Sequence, residues 1–482
     1  MLRPLTLACL LAGLATPALA TDLLTIYQEA LENSADLAAA QADSMARQEV
    51  LPQARSQLLP NLGVGAGIAR EEIDIDGRNP QTGAGDDRFT TRYFQASLTQ
   101  PLFRVDSWFD YQSAKFLSEQ AKAEFAATQQ ALILEVAEAY FNVLQASDNL
   151  ATAKAEETAF ERQLEQARER FEVGLSARTD VLEAQAGYDS ARAARLTAQT
   201  NLDVSFQAVN RLTNSYYERL DGISHDLPIL PPNPRNMQEW VDIASQQNLD
   251  LSAARLSVDS AGQALRGSRG GYAPSVDAFV RYQDNRGGSN MSGTGNFDTQ
   301  VTQIGVELSM PLFTGGATSS RVRESTYRLN QAEFSSDALL RRVVESTRNL
   351  YRTVTSSVEE IDARRQAILS AKAALDATET GYEVGTRNVV DVLDAQRNLF
   401  RAVRDYNTLR YNYIINNLSL KQAAGTLSPQ DLQELSQWLN PDYDPDRDFI
   451  PPFTEAETRE MSLGRPSSAP SGSERPSPRS SF

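Results

Sequence analysis

The sequence is almost without cysteine and histidine. Its single cysteine, Cys9, lies among residues 1–20, where a charged start, an apolar run and a small-residue end are typical of a secretory signal peptide. Removal of that peptide would leave no thiol, which excludes disulfides and cysteine-based metal sites. The single histidine, His225, lies in a Pro-rich connector, and for it we expect a surface role rather than catalysis.

The sequence also lacks an excess of basic charge and long apolar runs. Its formal net charge is -17 and its pI is about 4.7, so nucleic acid, which is bound through clustered Lys and Arg, is not an expected partner. Beyond residue 20, no run reaches the ~18 apolar residues that indicate a membrane-spanning helix. An exported chain of this kind is periplasmic, secreted, or a β-barrel in an outer membrane.

Signatures of catalysis are missing as well. The stretch GVGAG at 63–67 resembles a phosphate-binding loop, but it alternates like a strand and no helix start follows it. No nucleophile with an adjacent base can be recognised in the sequence. We therefore predict that the protein is not an enzyme and needs no cofactor.

What the sequence does contain is an internal duplication. Three stretches recur in the same order at offsets of 214, 210 and 211 residues, which indicates a repeated structural plan. The matched pairs are ALENSADLAAAQ (30–41) with SQQNLDLSAARL (245–256), LTQPLF (98–103) with LSMPLF (308–313), and FEVGLSARTDVLEAQ (171–185) with YEVGTRNVVDVLDAQ (382–396).

The repeat and the local composition divide the chain into five segments. Proline-rich sequence separates the two copies, and a Ser/Pro-rich composition marks the C-terminal end as disordered. The predicted segments are a signal peptide (1–20), a first repeat (21–213), a connector (214–236), a second repeat (237–428) and an acidic, then disordered tail (429–482).

Each repeat begins with a predicted helix followed by two strands. The leading helix covers Leu24–Leu58 in the first copy and Met237–Gly271 in the second, and a proline at 60 or 274 ends it. Two short strands follow, joined by long Gly-rich polar segments at 71–89 and 283–298 that suit the outer surface loops of a barrel.

A second proline then opens a very long helix. Pro101 precedes a predicted helix at 106–170, and Pro311 precedes one at 317–381; each would span roughly 100 Å at 1.5 Å per residue. A glycine, Gly174 or Gly385, ends each of them, and a helix of about 40 residues returns.

The returning and long helices carry heptad seams typical of coiled coils. Apolar or small residues alternate at spacings of three and four in the returning helix of the second copy and at the end of the first long helix. They are Val392, Ala395, Leu399, Ala402, Tyr406, Leu409 and Tyr413, and Phe160, Leu164, Ala167 and Phe171.

The four predicted strands each have one apolar and one polar face. Such a sheet either covers a soluble core or faces lipid with its apolar side, and a chain otherwise made of long coiled coil offers no obvious covering core. The apolar residues are Leu62, Val64, Ala66 and Ile68; Phe94, Ala96 and Leu98; Val276, Ala278, Val280 and Tyr282; and Ile304, Val306, Leu308 and Met310.

Four strands cannot close a barrel, and an open sheet edge in lipid would leave backbone groups unpaired at several kcal/mol each. The strands of several chains must therefore be combined. Two chains would give about eight strands, whose interior side chains would fill, whereas three give about twelve, enough for a water-filled lumen. Physical reasoning therefore favours a homotrimer in outer-membrane lipid.

The stretches at 171–203 and 381–428 closely resemble the TolC family of outer-membrane efflux proteins, and the similarity extends from Leu24 to about Leu427. The resemblance implies a trimeric outer-membrane β-barrel, with four strands per chain and about twelve in total, that continues into a long α-helical coiled-coil tunnel in the periplasm of a Gram-negative cell. It also implies an exit duct for efflux pumps and type I secretion. The partners would be a periplasmic adaptor (membrane fusion) protein and an inner-membrane transporter of the RND, ABC or MFS type.

The resemblance further implies that the free tip of the tunnel closes. Family positions that narrow the tip correspond to the acidic pair Asp391 and Asp394, and we hypothesise that three chains bring about six such carboxylates into a ring that binds cations. The constricting network corresponds to Tyr382, Arg387, Thr179 and Asp180, with Arg387 expected to bridge to Asp180, and the adaptor-docking tips to Val173, Gly174, Leu175, Val384, Gly385 and Thr386.

One position departs from the family pattern. Glu183 occupies in the first copy the place that Asp394 holds in the second, which would make the entrance more anionic if the side chain faces water. Two alternatives to the duct make different predictions. A soluble periplasmic coiled-coil adaptor would have no lipid-facing strands, and a diffusion porin would have many strands and few helices. The sequence favours the duct but identifies neither its cargo nor its pump.

Overall fold

A computed structural model describes residues 21–75, 85–287 and 297–453. The predicted signal peptide, the middles of the two predicted surface loops and the Ser/Pro-rich tail lie outside the described residues. The chain divides into two compact units. Unit 1 comprises Met1–Ala38, Thr128–Asn248 and Val344–Phe482, and unit 2 comprises Ala39–Ala127 and Leu249–Val343.

Helices dominate the chain. In order they are α1 (Leu23–Asn33), α2 (Ala35–Gln48), α3 (Val50–Ser56), α4 (Val105–Glu172), α5 (Arg178–Thr213), α6 (Met237–Gln247), α7 (Leu249–Gly270), α8 (Ala317–Glu383), α9 (Val389–Ala423), α10 (Pro429–Ser436) and α11 (Pro445–Asp448). Among the residues that the structure describes, no helix combines the length and the apolar composition needed to cross a membrane.

The strands are β1 (Asn61–Ile75), β2 (Gly85–Phe103), β3 (Gly222–Ile223), β4 (Ser275–Gly287), β5 (Phe297–Ser309) and β6 (Leu439–Asn440). Strands β1, β2, β4 and β5 form one antiparallel sheet in that order, so the two copies of the repeat meet at the β2–β4 pair. The short strands β3 and β6 form a separate pair that the sequence did not indicate.

The four-stranded sheet has the two faces that its alternation predicts. On one face the apolar side chains are exposed in the single chain, with Leu62 70% and Ile304 79% accessible. On the other face, the glycines of GVGAG are covered by side chains from the neighbouring strand: a Cβ atom on Gly67 would lie 2.4 Å from the ring of Tyr93. The stretch is therefore a strand and not a phosphate loop.

Each predicted leading helix is interrupted, contrary to the sequence prediction. Ser34 has extended ψ, donates its backbone N–H to the carbonyl of Ala30 at 2.9 Å, and accepts the N–H of Leu37 with its hydroxyl at 3.3 Å. It ends α1 and begins α2. Asn248 separates α6 from α7 in the second copy. Short polar side chains compete for backbone groups in this way, which the helical periodicity alone did not reveal.

The role predicted for Pro101 was also wrong. Pro101 lies within β2, where the pairing with β4 shifts register between Pro101 and Phe103, and α4 begins only at Val105. Proline donates no hydrogen bond to a ladder, so its place at an irregular strand end is consistent with its chemistry. The two long helices, in contrast, match their predicted bounds within a few residues.

The predicted seam of α9 is only partly the one that a single chain buries. Val392, Tyr406 and Tyr413 are buried, but the other four predicted positions are half-buried. The most buried row lies beside it, again at alternating spacings of three and four: Val389, Leu393, Gln396, Phe400, Val403, Asn407, Arg410 and Ile414. On α4, Phe160, Leu164 and Ala167 are buried as predicted, whereas Phe171 is 44% exposed.

The segment 429–453, which the sequence placed in the tail, is tied into unit 1 by a buried polar cluster. Asp148 of α4 accepts hydrogen bonds from the hydroxyls of Tyr411 and Tyr443, both at 2.8 Å. The buried guanidinium of Arg410 donates to the carbonyls of Ile223, at 3.0 Å, and Ser224. These contacts connect α4, α9, the connector and the C-terminal segment.

His225 does not have the surface position expected for it. Its Nε2 atom is hydrogen-bonded to the carbonyl of Asp448 at 2.8 Å, and its Nδ1 atom is buried. Burial and the nearby charge of Arg410 lower the pKa of His225 to about 4. The imidazole is therefore neutral and structural at neutral pH.

Candidate functional site

Two helix reversals in unit 1 occupy equivalent places in the two repeats. Gly174, with φ +77°, separates α4 from α5, and Gly385, with φ +78°, separates α8 from α9. In each turn a backbone N–H returns to a carbonyl five residues earlier, from Leu175 to Arg170 and from Thr386 to Gly381, both at 2.8 Å. This is the helix ending that a left-handed glycine permits, and both glycine breaks were predicted.

The two turns expose apolar side chains. Val173, Leu175 and Val384 are 69%, 78% and 69% accessible, and Thr386 is also exposed. Exposed apolar residues grouped at the end of a helical hairpin are typical of a contact surface. The predicted docking residues thus lie on the turns, while docking itself stays a proposal.

The first acidic residue after each turn is a helix cap. Asp180 accepts hydrogen bonds from the backbone of Ala177 at 3.2 Å and from the hydroxyl of Ser176 at 2.7 Å. Asp391 accepts from the backbone of Asn388 at 3.2 Å, and Asn388 in turn accepts from the backbone of Asp391 at 2.9 Å. Carboxylates are favourable at helix N-termini. This capping explains why the helix tolerates Asp391 close to a second aspartate.

The second acidic residue of each copy points away from the protein core. Asp394 has 58% of its side chain accessible and forms an ion pair with Arg397 on the same helix. Glu183 is exposed as well in the single chain, and its position at the entrance of the assembled duct stays a prediction. Asp391 is intermediate, with 37% of its side chain accessible. Both copies therefore present carboxylate to solvent immediately after the turns.

The structure gives Arg387 a different partner from the expected one. Its Nη1 atom lies 3.9 Å from Asp391 on its own helix, and 61% of its side chain is accessible. Thr179 is exposed on α5, and Asp180 is engaged by its own cap. The bridge from Arg387 to Asp180 is not among the contacts of the single chain, so it stays a prediction for the assembled protein.

Tyr382 is the buried member of the predicted network. The guanidinium of Arg170 lies 4.4 Å from the centre of its ring, and the ring packs in a core with Phe160, Leu164 and Leu393. Its hydroxyl is buried without a hydrogen-bond partner among the described residues. A tyrosine hydroxyl in such a place costs stability unless a partner reaches it.

A cavity of about 310 Å³ adjoins Tyr382 between α4, α8 and α9. Two glutamines line it with buried atoms that lack partners among the described residues, Nε2 of Gln163 and Oε1 of Gln396. The other end of the Gln396 amide donates to Glu379 at 3.4 Å. The sequence analysis missed this polar interior; the signal was a glutamine adjacent to the apolar residue Leu164 in α4 and another between Leu393 and Phe400 in α9. The polar interior makes the contact between these helices weaker than an apolar contact would be.

Comparisons with known proteins agree with one another. A sequence model of the family described as outer membrane efflux protein matches residues 26–215 and 240–426. The chain is 37% identical over 440 residues to outer membrane protein TolC of Vibrio cholerae serotype O1, covering 91% of this chain and 98% of that protein. It is 35% identical over 451 residues to the protein of the same name from Escherichia coli K12, covering 91% and 89%.

More distant similarities extend the comparison. Alkaline protease secretion protein AprF of Pseudomonas aeruginosa is 27% identical over 419 residues, with 86% of this chain and 87% of that protein covered. Among solved structures, the outer membrane protein VceC of Vibrio cholerae has a TM-score of 0.71 at 21% identity and covers 84% of this chain and 96% of that one. The structural similarity supports the fold.

These findings confirm the predicted fold class, a trimeric outer-membrane β-barrel with four strands per chain that continues into an α-helical coiled-coil tunnel. They also confirm the location in the outer membrane with the tunnel in the periplasm, and they do not favour the soluble adaptor. A passive channel of this kind is not an enzyme. The chain belongs to the outer membrane efflux protein family and is an outer-membrane exit duct for efflux and type I secretion.

Proposed function

We propose that the two helix turns of unit 1 form the periplasmic gate of this duct. The observation that carries the proposal is the buried Tyr382, whose hydroxyl has no hydrogen-bond partner in the described part of the chain and lies beside a polar cavity between α4 and the α8–α9 hairpin. Each buried polar group without a partner costs ~1–3 kcal/mol, which offsets part of the stability that the surrounding apolar core gives to this contact. The polar lining therefore makes it easier for the α8–α9 hairpin to move away from α4 than an entirely apolar contact would.

The acidic residues give the gate its charge. Asp391 and Asp394 are accessible in the single chain, and a threefold axis near the tip would bring about six of these carboxylates together. Glu183 would add to the same negative field if it faces the entrance. Such a ring attracts cations through hard oxygen ligands. The ring is supplied by three chains, so it is a property of the trimer.

Arg387 is the proposed lock between protomers. Its side chain is exposed, and its ion pair within residues 21–75, 85–287 and 297–453 is the one with Asp391 at 3.9 Å, which is at the limit of an ion pair. Asp180, with Thr179 beside it, is the partner that the family resemblance implies for Arg387, and in this proposal it belongs to a neighbouring protomer. One exposed ion pair contributes ~0–1 kcal/mol, but the three copies in a trimer all act on the equilibrium between the closed and the open gate.

The exposed turns are the proposed docking surface for a periplasmic adaptor, which would in turn connect the duct to an inner-membrane transporter of the RND, ABC or MFS type. Val173, Leu175 and Val384 supply the apolar contacts, and the glycines Gly174 and Gly385 fix the shape of the turns. A relative named for alkaline protease secretion supports protein cargo, and the family name supports efflux.

Single-channel recording of the purified trimer in planar bilayers tests the gate. We expect Arg387→Ala to raise the conductance, and we expect Asp391→Ala combined with Asp394→Ala to abolish block by divalent or trivalent cations. Arg401→Ala, an exposed arginine further along α9, serves as the matched control and should leave both properties unchanged. Wild-type conductance in Arg387→Ala and wild-type cation block in the double variant would contradict the proposal.

A further inference from the structure

The apolar face of the four-stranded sheet ends in a row of charged residues. Phe94 and Tyr282 mark the boundary, with ring centres 6.2 Å apart in an edge-on arrangement. Aromatic girdles of this kind lie at the interface between lipid and water. Toward the hairpin ends of the strands the same face carries Arg92 and Arg286, which are directly opposed in the β2–β4 register.

This row lies at the outer surface of the cell. Helix α3 ends at Ser56, just before β1, and α4 begins at Val105, just after β2, so helices adjoin only the ends of the strands remote from this row. The tunnel of this family is periplasmic. The hairpin ends therefore face the exterior, and the row is level with the head groups of the outer leaflet.

Two arginines of the row have no counterion among the described residues. Arg88 forms an ion pair with Glu72, and Arg286 forms one with Asp284 at 3.0 Å. Among the carboxylates of this face whose side chains are described, the remaining one, Asp298, is opposite Arg286 in the register. For two exposed arginines of the face, no ion pair with a described side chain is formed. They are Arg70 and Arg92.

Arg70 and Arg92 are neighbours on the same face. Arg92 is paired in register with Ile68, and Arg70 with Thr90, so the two arginines are diagonal neighbours on β1 and β2. Such diagonal positions are ~7–8 Å apart, within reach of long side chains. Two unpaired guanidinium groups at that distance repel each other unless an anion lies between them, and their planar forks match phosphate oxygens.

We propose that Arg70 and Arg92 bind the phosphate group of a phosphorylated lipid in the outer leaflet. The favoured source of phosphate is a lipid rather than a free ion because apolar surface continues directly below the arginines. Ile68, the register partner of Arg92, is 68% exposed, and Val64 is 67% exposed on the same strand. Acyl chains pack on this surface while the phosphate reaches the two guanidinium groups. The site is independent of the periplasmic gate.

Native mass spectrometry of the detergent-solubilised full-length trimer provides the test. The probes are bisphosphorylated lipid A, its dephosphorylated form and inorganic phosphate. We expect the bisphosphorylated lipid to bind and the dephosphorylated one to bind much more weakly. Arg70→Gln combined with Arg92→Gln should weaken binding by about fivefold per arginine removed. Arg70→Lys with Arg92→Lys should retain part of the affinity, because charge remains but the fork is lost.

Arg281→Gln is the matched control, since Arg281 lies on the opposite face of the same sheet beside Phe279 and Glu307. It should bind lipid like the wild type, and the trimer mass in each spectrum shows that a variant has assembled. Equal binding by the double glutamine variant, or equal binding of the dephosphorylated lipid, would overturn the proposal. So would displacement of the lipid by equimolar inorganic phosphate, which would make the site a phosphate site only.

Discussion

The hydroxyl of Tyr443 donates a 2.8 Å hydrogen bond to the buried carboxylate of Asp148, although 295 residues separate the two in the sequence. The carboxylate is 1% accessible and its other oxygen is held by Tyr411. The C-terminal segment is thus anchored to the middle of α4 through a charged group that needs both of its donors.

Removal of one donor should loosen the C-terminal segment. Tyr443→Phe leaves one oxygen of Asp148 unpaired in a buried site, which should lower the free energy of unfolding by about 1–3 kcal/mol. Protease accessibility of residues 429–453 against temperature measures the change. Tyr216→Phe, at a tyrosine that is 87% exposed, is the control and should have no effect. If both variants resist the protease equally, the hydrogen bond from Tyr443 to Asp148 contributes nothing to stability.

Asp148 and His225 should give opposite pH dependences to the stability of unit 1. Burial raises the pKa of Asp148 to about 6, despite the hydrogen bonds from Tyr443 and Tyr411 and the charge of Arg410. Its contribution to stability is therefore greatest in acid and is lost as the pH rises through about 6. Burial lowers the pKa of His225 to about 4, so its contribution is present above pH 6.5 and is lost as the pH falls through about 4.

Each single substitution should reveal the group that remains. We expect Asp148→Asn to make the protein lose stability more steeply than the wild type as the pH falls from 6 to 4, because the destabilising protonation of His225 is then no longer offset by the protonation of Asp148. His225→Gln should make the protein gain stability, relative to the wild type, as the pH falls over the same range. Thermal unfolding of the wild type and both variants at several pH values measures how stability changes with pH. If the three pH profiles are parallel, Asp148 and His225 do not have opposite effects.

Gly425 should tolerate alanine much less well than Gly174, although both have positive φ, at +74° and +77°. A Cβ atom on Gly425 would lie 2.2 Å from the backbone oxygen of Gln247, whereas one on Gly174 meets nothing within 4 Å. Gly174→Ala should cost only the left-handed conformation, ~1–2 kcal/mol. Gly425→Ala should cost a further ~1–3 kcal/mol for the collision. Equal thermal shifts of the two variants would refute the close approach.

The parts of the fold that repeat or alternate could be predicted from the sequence. The duplication located both glycine turns, and the period-two pattern located the exposed apolar face around Leu62 and Ile304. Heptad spacing identified α9 as a coiled-coil helix but selected a row next to the one that a single chain buries, because the buried row includes the polar residues Gln396, Asn407 and Arg410, which an apolar pattern does not select. In a trimer the half-buried row of Ala395, Leu399 and Ala402 remains available for other contacts.

The parts that depend on single polar residues could not be predicted. Ser34 and Asn248 interrupt helices through local backbone hydrogen bonds that periodicity does not contain. Asp148 and Arg410 are charged residues in helices that look like surface residues until partners distant in sequence enclose them. At the tip, the sequence indicated Asp391 through resemblance, and only the structure showed that it caps α9.

The most direct test of the gate places one thiol at the tip. In a Cys9→Ser background, Asp394→Cys would introduce the only cysteine of the chain. If the tips of three protomers converge, mild oxidation should link protomers into dimers and lower the conductance, and reductant should restore both. Protomers that stay unlinked under oxidation, in a channel that still conducts, would contradict a gate at this end of the duct.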